Sequence, residues 1–310
     1  MKTVIITGGT GLIGSQLTSL LVKKGYSVII FSHNKQRSNS QKNVTVTYWN
    51  IEKGEIDKSA IAKADVLIHL AGAGVADKRW TKERKKEILE SRTRSSELLV
   101  KALRETNNNI STVISASAIG WYGEDNNASR KNGFAENELS SPDFLGETCR
   151  LWEESIEPVF TLGKRLVKLR TGIVLSNDGG ALAEFKKPLK AGVAAILGSG
   201  SQVVSWIHID DICRMYLSAI ENEMMRGVYN AVAPAPVTNK ELTLSLAKQM
   251  RGKTYLPIHI PVVALKIALG EMSVEVLKSA TVSARKILQS GFNFTYPTID
   301  TALKQLVPAK

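Results

Sequence analysis

The segment Val4-Ile5-Ile6-Thr7-Gly8-Gly9-Thr10-Gly11-Leu12-Ile13-Gly14 joins an apolar run to a glycine-rich turn, and that turn to a helix start. Glycines at 8, 11 and 14 suit three needs of a phosphate-binding turn. One permits a sharp turn with unusual backbone angles, one lets the backbone approach a pyrophosphate without a Cβ in the way, and one lets the helix pack closely on the strand. The following helix points free N–H groups and the positive end of its dipole at the phosphates. A helix from Leu12 to Lys24, Gly25 at its C-cap and a second apolar run from Tyr26 to Phe31 complete a βαβ unit. Dinucleotide binding is therefore expected at Gly8, Thr10, Gly11, Leu12, Ile13 and Gly14. After Phe31 the chain reads Ser32-His33-Asn34-Lys35-Gln36-Arg37. NAD-selective sites place a carboxylate there for the ribose hydroxyls, whereas this turn offers three potentially cationic groups and two small polar ones. That favours NADP, whose 2′-phosphate a carboxylate would repel.

The elements that must position this turn alternate along the chain. Strands are expected at 3–7, 26–31, 44–48, 65–70 and 111–116, and helices at 12–24, 57–63 and 82–105. Such alternation implies a parallel sheet with helices on both faces. A helix from about Phe144 to Glu157 leads to a strand at Arg165–Arg170, which runs into Thr171-Gly172-Ile173-Val174-Leu175. Residues 176–205 read as loops with a short helix. Trp206-Ile207-His208-Ile209-Asp210-Asp211 opens a helix to about Asn222, with Asp210 or Asp211 as its N-cap. From Gly227 the pattern shifts to short strands and helices, with a helix at 239–250 and a Pro-flanked apolar segment at 257–270. The expected division is a nucleotide-binding domain over 1–226 and a smaller C-terminal substrate or cap lobe over 227–310, to which 176–205 contribute.

Composition narrows the function classes. No apolar run approaches the roughly 18 residues of a membrane span, and the start in a strand leaves no expected signal peptide. The two cysteines, Cys149 and Cys213, have no metal-ligand spacing, so no metal is expected and reduced thiols in a cytoplasmic protein are. The net charge of +12 comes from scattered Lys residues and one dense cluster, Lys78 to Lys86. The cluster precedes an amphipathic helix and reads as a solvated helix entrance, and nucleic acid is not an expected partner. The helix at 82–105 is long enough for a homodimer interface, although packing on the sheet explains its apolar stripe more simply.

Ala64-Asp65-Val66-Leu67-Ile68-His69-Leu70-Ala71-Gly72 is a second strand ending in small residues, as a backbone passing a cofactor requires. Together with the glycine turn and Trp206–Asp211, it resembles the extended short-chain dehydrogenase/reductase superfamily. The finer resemblance is to its atypical YfcH-like epimerase-family branch with a C-terminal domain of unknown function. It is carried by Ser115–Gly123 (SASAIGWYG), Leu169–Leu175 (LRTGIVL), Gly198-Ser199-Gly200, Asn230–Pro234 (NAVAP), Gly270-Glu271-Met272 and Ser290-Gly291-Phe292. The resemblance spans nearly the whole chain. It implies an α/β fold, a Rossmann doubly wound parallel sheet with a smaller C-terminal α+β lobe. It also implies NADP across the strand ends, with Ser32 and His33 near the 2′-phosphate, Leu70, Ala71 and Gly72 beside the cofactor, and Glu87 and Arg92 in contact with it. Relatives often carry Arg where this chain has His33.

The wider superfamily uses a Tyr as general acid/base with a Lys four residues later on the same helix face. No tyrosine here, at 26, 48, 122, 216, 229, 255 or 296, is followed by lysine at that spacing. In the helix where the pair belongs, Phe144 and Thr148 occupy one register and Leu145 and Cys149 the next. Ser117 (or Ser115), at the end of the fifth strand, and Tyr122, in the adjoining loop, are the candidate catalytic groups, with His208 a third able to titrate near neutrality. Each has a plainer reading, as a backbone cap, a packed ring or a loop tie. Two readings of function follow. One is an NADP-dependent oxidoreductase or epimerase-like enzyme on a small polar substrate, sugar- or nucleotide-linked. The other is a non-catalytic NADPH-binding regulatory protein with a protein partner, which the cell-division-inhibitor label of some relatives keeps open.

Overall fold

The computed structural model describes residues 1–35 and 41–307; Gln36 and Arg37 of the basic turn lie outside the described residues. The first half contains β1 (Thr3–Thr7), α1 (Leu12–Lys23), β2 (Ser27–Ser32), β3 (Val44–Asn50), β4 (Glu55–Ile56), α2 (Lys58–Lys63), β5 (Val66–His69), α3 (Lys82–Glu105), β6 (Thr112–Ala118), α4 (Asn127–Asn132) and α5 (Phe144–Ile156). The second half adds β7 (Arg165–Thr171), β8 (Ile173–Ser176), β9 (Gly179–Gly180), α6 (Ala181–Lys190), β10 (Val193–Leu197), β11 (Val203–Val204), β12 (Trp206–His208), α7 (Ile209–Glu221) and β13 (Gly227–Ala231). It closes with β14 (Val237–Thr238), α8 (Asn239–Arg251), β15 (Leu256–Ile260), α9 (Val262–Leu269), α10 (Ser273–Leu277), α11 (Arg285–Gln289) and α12 (Ile299–Leu306).

The main sheet runs β13-β7-β6-β5-β1-β2-β3-β4, parallel throughout except for the short β4. β1 is apolar on both faces because both faces are covered. Val4 and Ile6 join the cluster that contains Leu17 and Leu21 of α1, while Ile5 joins Leu98, Leu99 and Leu103 of α3 on the other side. Each such side chain contributes about 1.5–3 kcal/mol on burial. The strand order reverses at β1, with β2 on one side and β5 on the other. Reversal opens a crevice beyond the carboxyl ends of these strands, and the glycine turn lies in it. The fold is the expected α/β doubly wound parallel sheet.

Helix starts follow from local chemistry. Asp57 caps α2 by accepting from the Ser59 and Ala60 amides, and Thr81 caps α3 by accepting from Arg84. Two expectations change. The N-cap of α7 is His208, whose Nδ1 accepts from the Asp210 amide, and neither aspartate fills that role. The boundary expected at 226/227 falls inside the main sheet, because Gly227–Ala231 pair with β7 and form its edge strand. The smaller lobe is assembled from β8 through β12 with α6, and from the chain after β13. There β10 pairs with β15, β11 with β14, and β12 with β8. The Pro-flanked segment at 257–270 splits into β15 and α9.

Two buried aspartates hold the C-terminal segment on the sheet domain. Asp125 accepts from Ser129 Oγ, Ser279 Oγ, Thr281 Oγ1 and the Thr281 amide, at 2.8–2.9 Å. Asp211 accepts from the amides of Thr295 and Tyr296, both at 2.9 Å, and from Arg214. A carboxylate so placed leaves several donors unpaired when removed. Asp125→Ala is expected to lower stability by about 3 kcal/mol, read as a reduced urea midpoint, with faster proteolysis after residue 260. An unchanged midpoint would exclude Asp125 as an anchor.

Candidate dinucleotide cleft

The glycine turn has the geometry its spacing implies. Gly8 has φ +69°, and a Cβ there would lie 2.9 Å from the Ala71 amide nitrogen and Leu70 carbonyl carbon. The turn is thus pressed against the end of β5. Gly14 fits under the same turn, where a Cβ would stand 2.6 Å from Gly9 Cα. Gly11 is the N-cap of α1 and offers no side-chain oxygen, and the first turn carries no acidic residue. The positive end of α1 therefore stays open to an anion. Leu12 and Ile13 pack their side chains on the core, and Thr10 is exposed.

The neighbouring strand ends complete the cleft wall. Ser32, at the end of β2, is buried and its Oγ accepts from the Asn34 amide, while His33 is exposed. Lys35 lies 4.6 Å from the Tyr48 ring centre. At β5, Thr7 Oγ1 accepts from the Leu70 and Ala71 amides at 3.2 and 3.3 Å and lies 2.7 Å from His69 Nδ1. With its acceptor positions engaged, the Thr7 hydroxyl donates to Nδ1, and Nε2–H donates to Ser95 Oγ at 3.2 Å. Burial, with a contribution from the Arg92 cation, lowers the His69 pKa to about 3. His69 is a neutral tie between β1, β5 and α3.

The helix α3 brings up Glu87 and Arg92, the two residues the resemblance assigned to the cofactor. Arg92 packs over Gly72, donates to the Ala73 and Ile88 carbonyls at 3.0 and 2.8 Å, and stacks 4.9 Å from the Trp152 ring. Ser91 Oγ accepts from the Ala73 amide at 3.0 Å. Glu87 is exposed, and a 2.7 Å hydrogen bond from Arg84 holds its carboxyl below the ordinary range. Arg84 itself is buried. It also donates to the Gly74 carbonyl and faces Asp77 at 3.6 Å, so it fixes the 74–77 loop. Sequence reasoning took Arg84 as one member of a solvated basic cluster.

That cluster has structural work among its neighbours. Arg79 donates to the Ile267 and Ala268 carbonyls at the end of α9, and Lys85 pairs with Glu271. The expected solvated helix entrance is instead the seat of the C-terminal lobe. At the start of the neighbouring α5, Lys278 lies 3.6 Å from Asp143, the N-cap of that helix, and 2.8 Å from Glu275.

The catalytic candidates are elsewhere engaged. Ser117 Oγ donates at 2.7 Å to Glu153, which also receives Arg170 Nε at 2.7 Å and its second nitrogen at 3.1 Å. Arg170 donates to the Tyr122 hydroxyl at 3.1 Å, and that hydroxyl donates to Asn230 Oδ1 at 2.7 Å. Asn230 in turn donates to the Phe134 and Ser283 carbonyls. All five side chains are buried, and burial pushes the Tyr122 phenol up to about 12. Tyr122 does turn inward, yet its proton is committed to Asn230. Ser115 is buried and donates to the Ala116 carbonyl. His208 is buried with its ring 3.8 Å from Tyr296 and Nε2 3.0 Å from Gln305, and burial lowers its pKa. These groups tie elements together. A buried Glu on the otherwise apolar face Cys149-Trp152-Ile156 was the signal for this network, and only burial distinguishes it from a surface charge.

The structure also settles the register of α5. A Cβ on Gly120, in the turn after β6, would lie 3.2 Å from Leu145 Cβ and 3.6 Å from Cys149 Sγ. Leu145 and Cys149 therefore face the strand ends. Thr148 Oγ1 bonds back to the Phe144 carbonyl at 2.7 Å. Burial pushes the Cys149 thiol up to about 12, so it is neutral and inert near pH 7. Among the described residues no cluster of metal ligands occurs, and no helix is long and apolar enough to cross a membrane.

The model of the NAD dependent epimerase/dehydratase family matches residues 4–143, and that of a domain of unknown function, DUF1731, matches residues 260–306. The chain is 35% identical over 305 residues to the epimerase family protein YfhF of Bacillus subtilis, covering 98% of this chain and 97% of that protein. An epimerase family protein of Staphylococcus saprophyticus is 36% identical over 310 residues, covering 99% of this chain and all of the relative (100%). Among solved structures, human epimerase family protein SDR39U1 (isoform 2) with NADPH superposes with a TM-score of 0.84 at 25% identity, over 98% of this chain and 99% of that one. A nucleoside-diphosphate sugar epimerase from Corynebacterium glutamicum gives 0.77 at 31% identity, over 99% of this chain but 58% of that one.

Two outcomes follow from the geometry. Tyr122→Phe removes a hydroxyl that joins Arg170 to Asn230 and is expected to cost about 1–2 kcal/mol of stability. Turnover per folded molecule should stay within twofold; a kcat loss of a hundredfold would restore Tyr122 as an acid. For His69 the unfolded pKa of 6.5 exceeds the folded value of about 3, so the unfolded state binds the extra proton between them. Its contribution is present above pH 6.5 and is lost as pH falls toward 3, at up to about 1.4 kcal/mol per pH unit. His69→Asn, which keeps an acceptor near the Nδ1 position, should flatten that part of the stability–pH curve measured by chemical denaturation.

Proposed function

This chain belongs to the NAD dependent epimerase/dehydratase family, carrying the DUF1731 domain at its C-terminal end, and we propose that it is an NADP-dependent oxidoreductase or epimerase-like enzyme. The observation that carries the reading is the uncapped start of α1 beneath the Gly8–Gly14 turn, set against β5 with Ser32 and His33 at the neighbouring strand end. No carboxylate stands at that end, which supports NADP over NAD. The human relative solved with NADPH supports the same preference.

In this reading the Gly8, Gly11, Leu12, Ile13 and Gly14 backbone receives the pyrophosphate, and Ser32 with His33 meets the 2′-phosphate. Leu70, Ala71 and Gly72 form the floor that Thr7 and His69 hold in place. Arg92 keeps the 72–73 backbone against α3, and Glu87, held by Arg84, stands at the rim. The dinucleotide, when bound, supplies or accepts hydride. The chain supplies position and exclusion of water, since neither Ser117 nor Tyr122 has a proton free for transfer in this arrangement. Positioning alone is a substantial source of rate. The engaged Ser117 and Tyr122 give some weight to the binding-only alternative, yet they say nothing for a protein partner. The family and the preserved cleft favour an enzyme.

Titration of the purified protein with NADPH and NADH, followed by nucleotide fluorescence, tests the cofactor reading. NADPH should bind at least tenfold more tightly. Equal affinity, or tighter NADH binding, would overturn it, and His33→Glu should narrow the difference.

A further inference from the structure

An open cavity of about 580 Å³ lies where the end of α4, the chain after β13 and residues 281–289 meet. It shares no lining residue with the dinucleotide cleft, and its volume suits a small organic molecule. The walls are fixed by contacts within the protein. Phe134 and Val282 form a parallel bridge, in which the Phe134 amide donates to the Thr281 carbonyl at 2.7 Å and the Ser283 amide to the Phe134 carbonyl at 3.0 Å. Gly133, with φ +73°, is pressed on this pair so closely that a Cβ would lie 2.7 Å from the Ser283 nitrogen. Asn230 clamps the two segments by donating to the Phe134 and Ser283 carbonyls, both at 3.1 Å. Pro234 and Pro236 stiffen another side through their fixed φ.

The chemistry of this lining is one-sided. Val282 and Ala284 are buried, and with the two prolines and Leu288, 44% exposed, they give an apolar surface. Lys131, Arg285, Asn132 and Gln289 add donors, and no Asp or Glu is among the lining residues. Lys131 and Arg285 are exposed, and among the described residues neither is paired with an acid. Arg150 on α5, by contrast, is held by Glu147 and Glu154 one turn away on its own helix. Ser283 Oγ accepts from the Arg285 amide at 3.3 Å and keeps its own proton to donate. Thr281 takes no part, since its hydroxyl is committed to Asp125 at 2.8 Å. Several donors, two of them cationic, with no carboxylate to repel a ligand, suit an oxyanion, and a guanidinium matches carboxylate or phosphate with two parallel bonds. An exposed ion pair contributes little, so most of the affinity must come from an apolar body that covers the floor.

We propose that this cavity is a second binding site, which takes a small organic anion: a carboxylate or phosphate group carried on an apolar body such as an aryl ring. The oxyanion pairs with Arg285 and Lys131, and the body rests on Val282, Ala284 and Leu288. This site stands apart from the oxidoreductase reading and does not depend on it. Because Asn230 ties the Ser283 carbonyl to Tyr122 and Arg170, an occupant that holds residues 281–285 also fastens the C-terminal segment to the sheet. Ligand should therefore slow proteolysis after residue 260.

The test is calorimetric titration of the whole chain, saturated with NADP⁺, with phenyl phosphate, benzoate, benzyl alcohol and inorganic phosphate. At least one aryl anion should bind with a Kd below about 1 mM, and about tenfold more tightly than benzyl alcohol or inorganic phosphate. Whichever aryl anion binds more tightly identifies the head group. The double variant Lys131→Ala/Arg285→Ala, and separately Leu288→Asp, should each weaken that binding about tenfold. All three side chains are exposed, so Tm and NADPH affinity should not change. Three results overturn the proposal: no aryl anion bound below about 1 mM, inorganic phosphate or benzyl alcohol bound as tightly, or aryl-anion binding that is indifferent to these variants.

Discussion

The buried pair Glu153–Arg170 is the interaction on which the arrangement of this molecule most depends. Glu153 comes from α5 and Arg170 from β7, and both are almost wholly shielded from water. Two charges in such a place are tolerable only if every lone pair and proton is matched. The matching is what recruits the other elements. Ser117 reaches in from β6, Tyr122 from the following turn, and Asn230 from β13, while Lys168 stands 3.5 Å from the same carboxylate. Arg170 also lies 3.6 Å over the Trp121 ring. One ion pair thereby sets the relative positions of three neighbouring strands and the helix across them. Removing one partner would strand the other, at about 3–5 kcal/mol.

The same logic fastens the C-terminal lobe. Its pairs of strands are short, and a two-stranded sheet is marginal on its own in water. Stability comes from ties to the large sheet. Asp125 and Asp211 gather backbone amides from 281 and 295–296, Asn230 reaches the Ser283 carbonyl, and Ser205 both donates to Ala280 and accepts from Val282. The basic run at 78–86 adds ties at α9 and Glu271. The cleft is consequently closed on one side by the glycine turn, which is fixed by backbone contacts, and on the other by a lobe fixed by side-chain pairs.

How much of this was legible in the sequence depends on whether the information is local. Helix α3 matches its expected bounds, because its N-cap Thr81 directly precedes it and the apolar period lies within it. The glycine turn was legible for the same reason, since its angles and contacts are set by residues a few positions apart. The place of β13 was not. Residues 227–231 read as the first strand of a new lobe, and only pairing with β7, some sixty residues earlier, puts them at the sheet edge. Nor could the sequence choose between Phe144/Thr148 and Leu145/Cys149, which differ by one step of the helix; the contact at Gly120 decides it. Asp211 read as a candidate N-cap and Glu153 carried no signal of its own, because charge alone does not report burial. His208 outcompeted two aspartates as N-cap because its ring was already fixed against Tyr296 and Gln305.

No Tyr here is followed by Lys at the helical spacing, so under the proposed reading rate must come from something other than a Tyr/Lys relay. A positioned general acid is worth about 10²–10⁴ in rate, whereas fixing two reactants in an attacking geometry reaches effective molarities of about 10⁵–10⁸ M. The larger of the two contributions needs no ionisable side chain. It needs a floor that does not move and a wall that excludes water. The Thr7–His69–Ser95 chain supplies the first, since a histidine neutral down to about pH 3 holds the same hydrogen bonds throughout the range in which proteins work. Under the proposed reading the second falls to the C-terminal segment, which Lys85–Glu271 and Lys278–Asp143 tie to the starts of α3 and α5. The hydroxyls of Ser117 and Tyr122 are committed to the Glu153–Arg170 network, where they serve the framework.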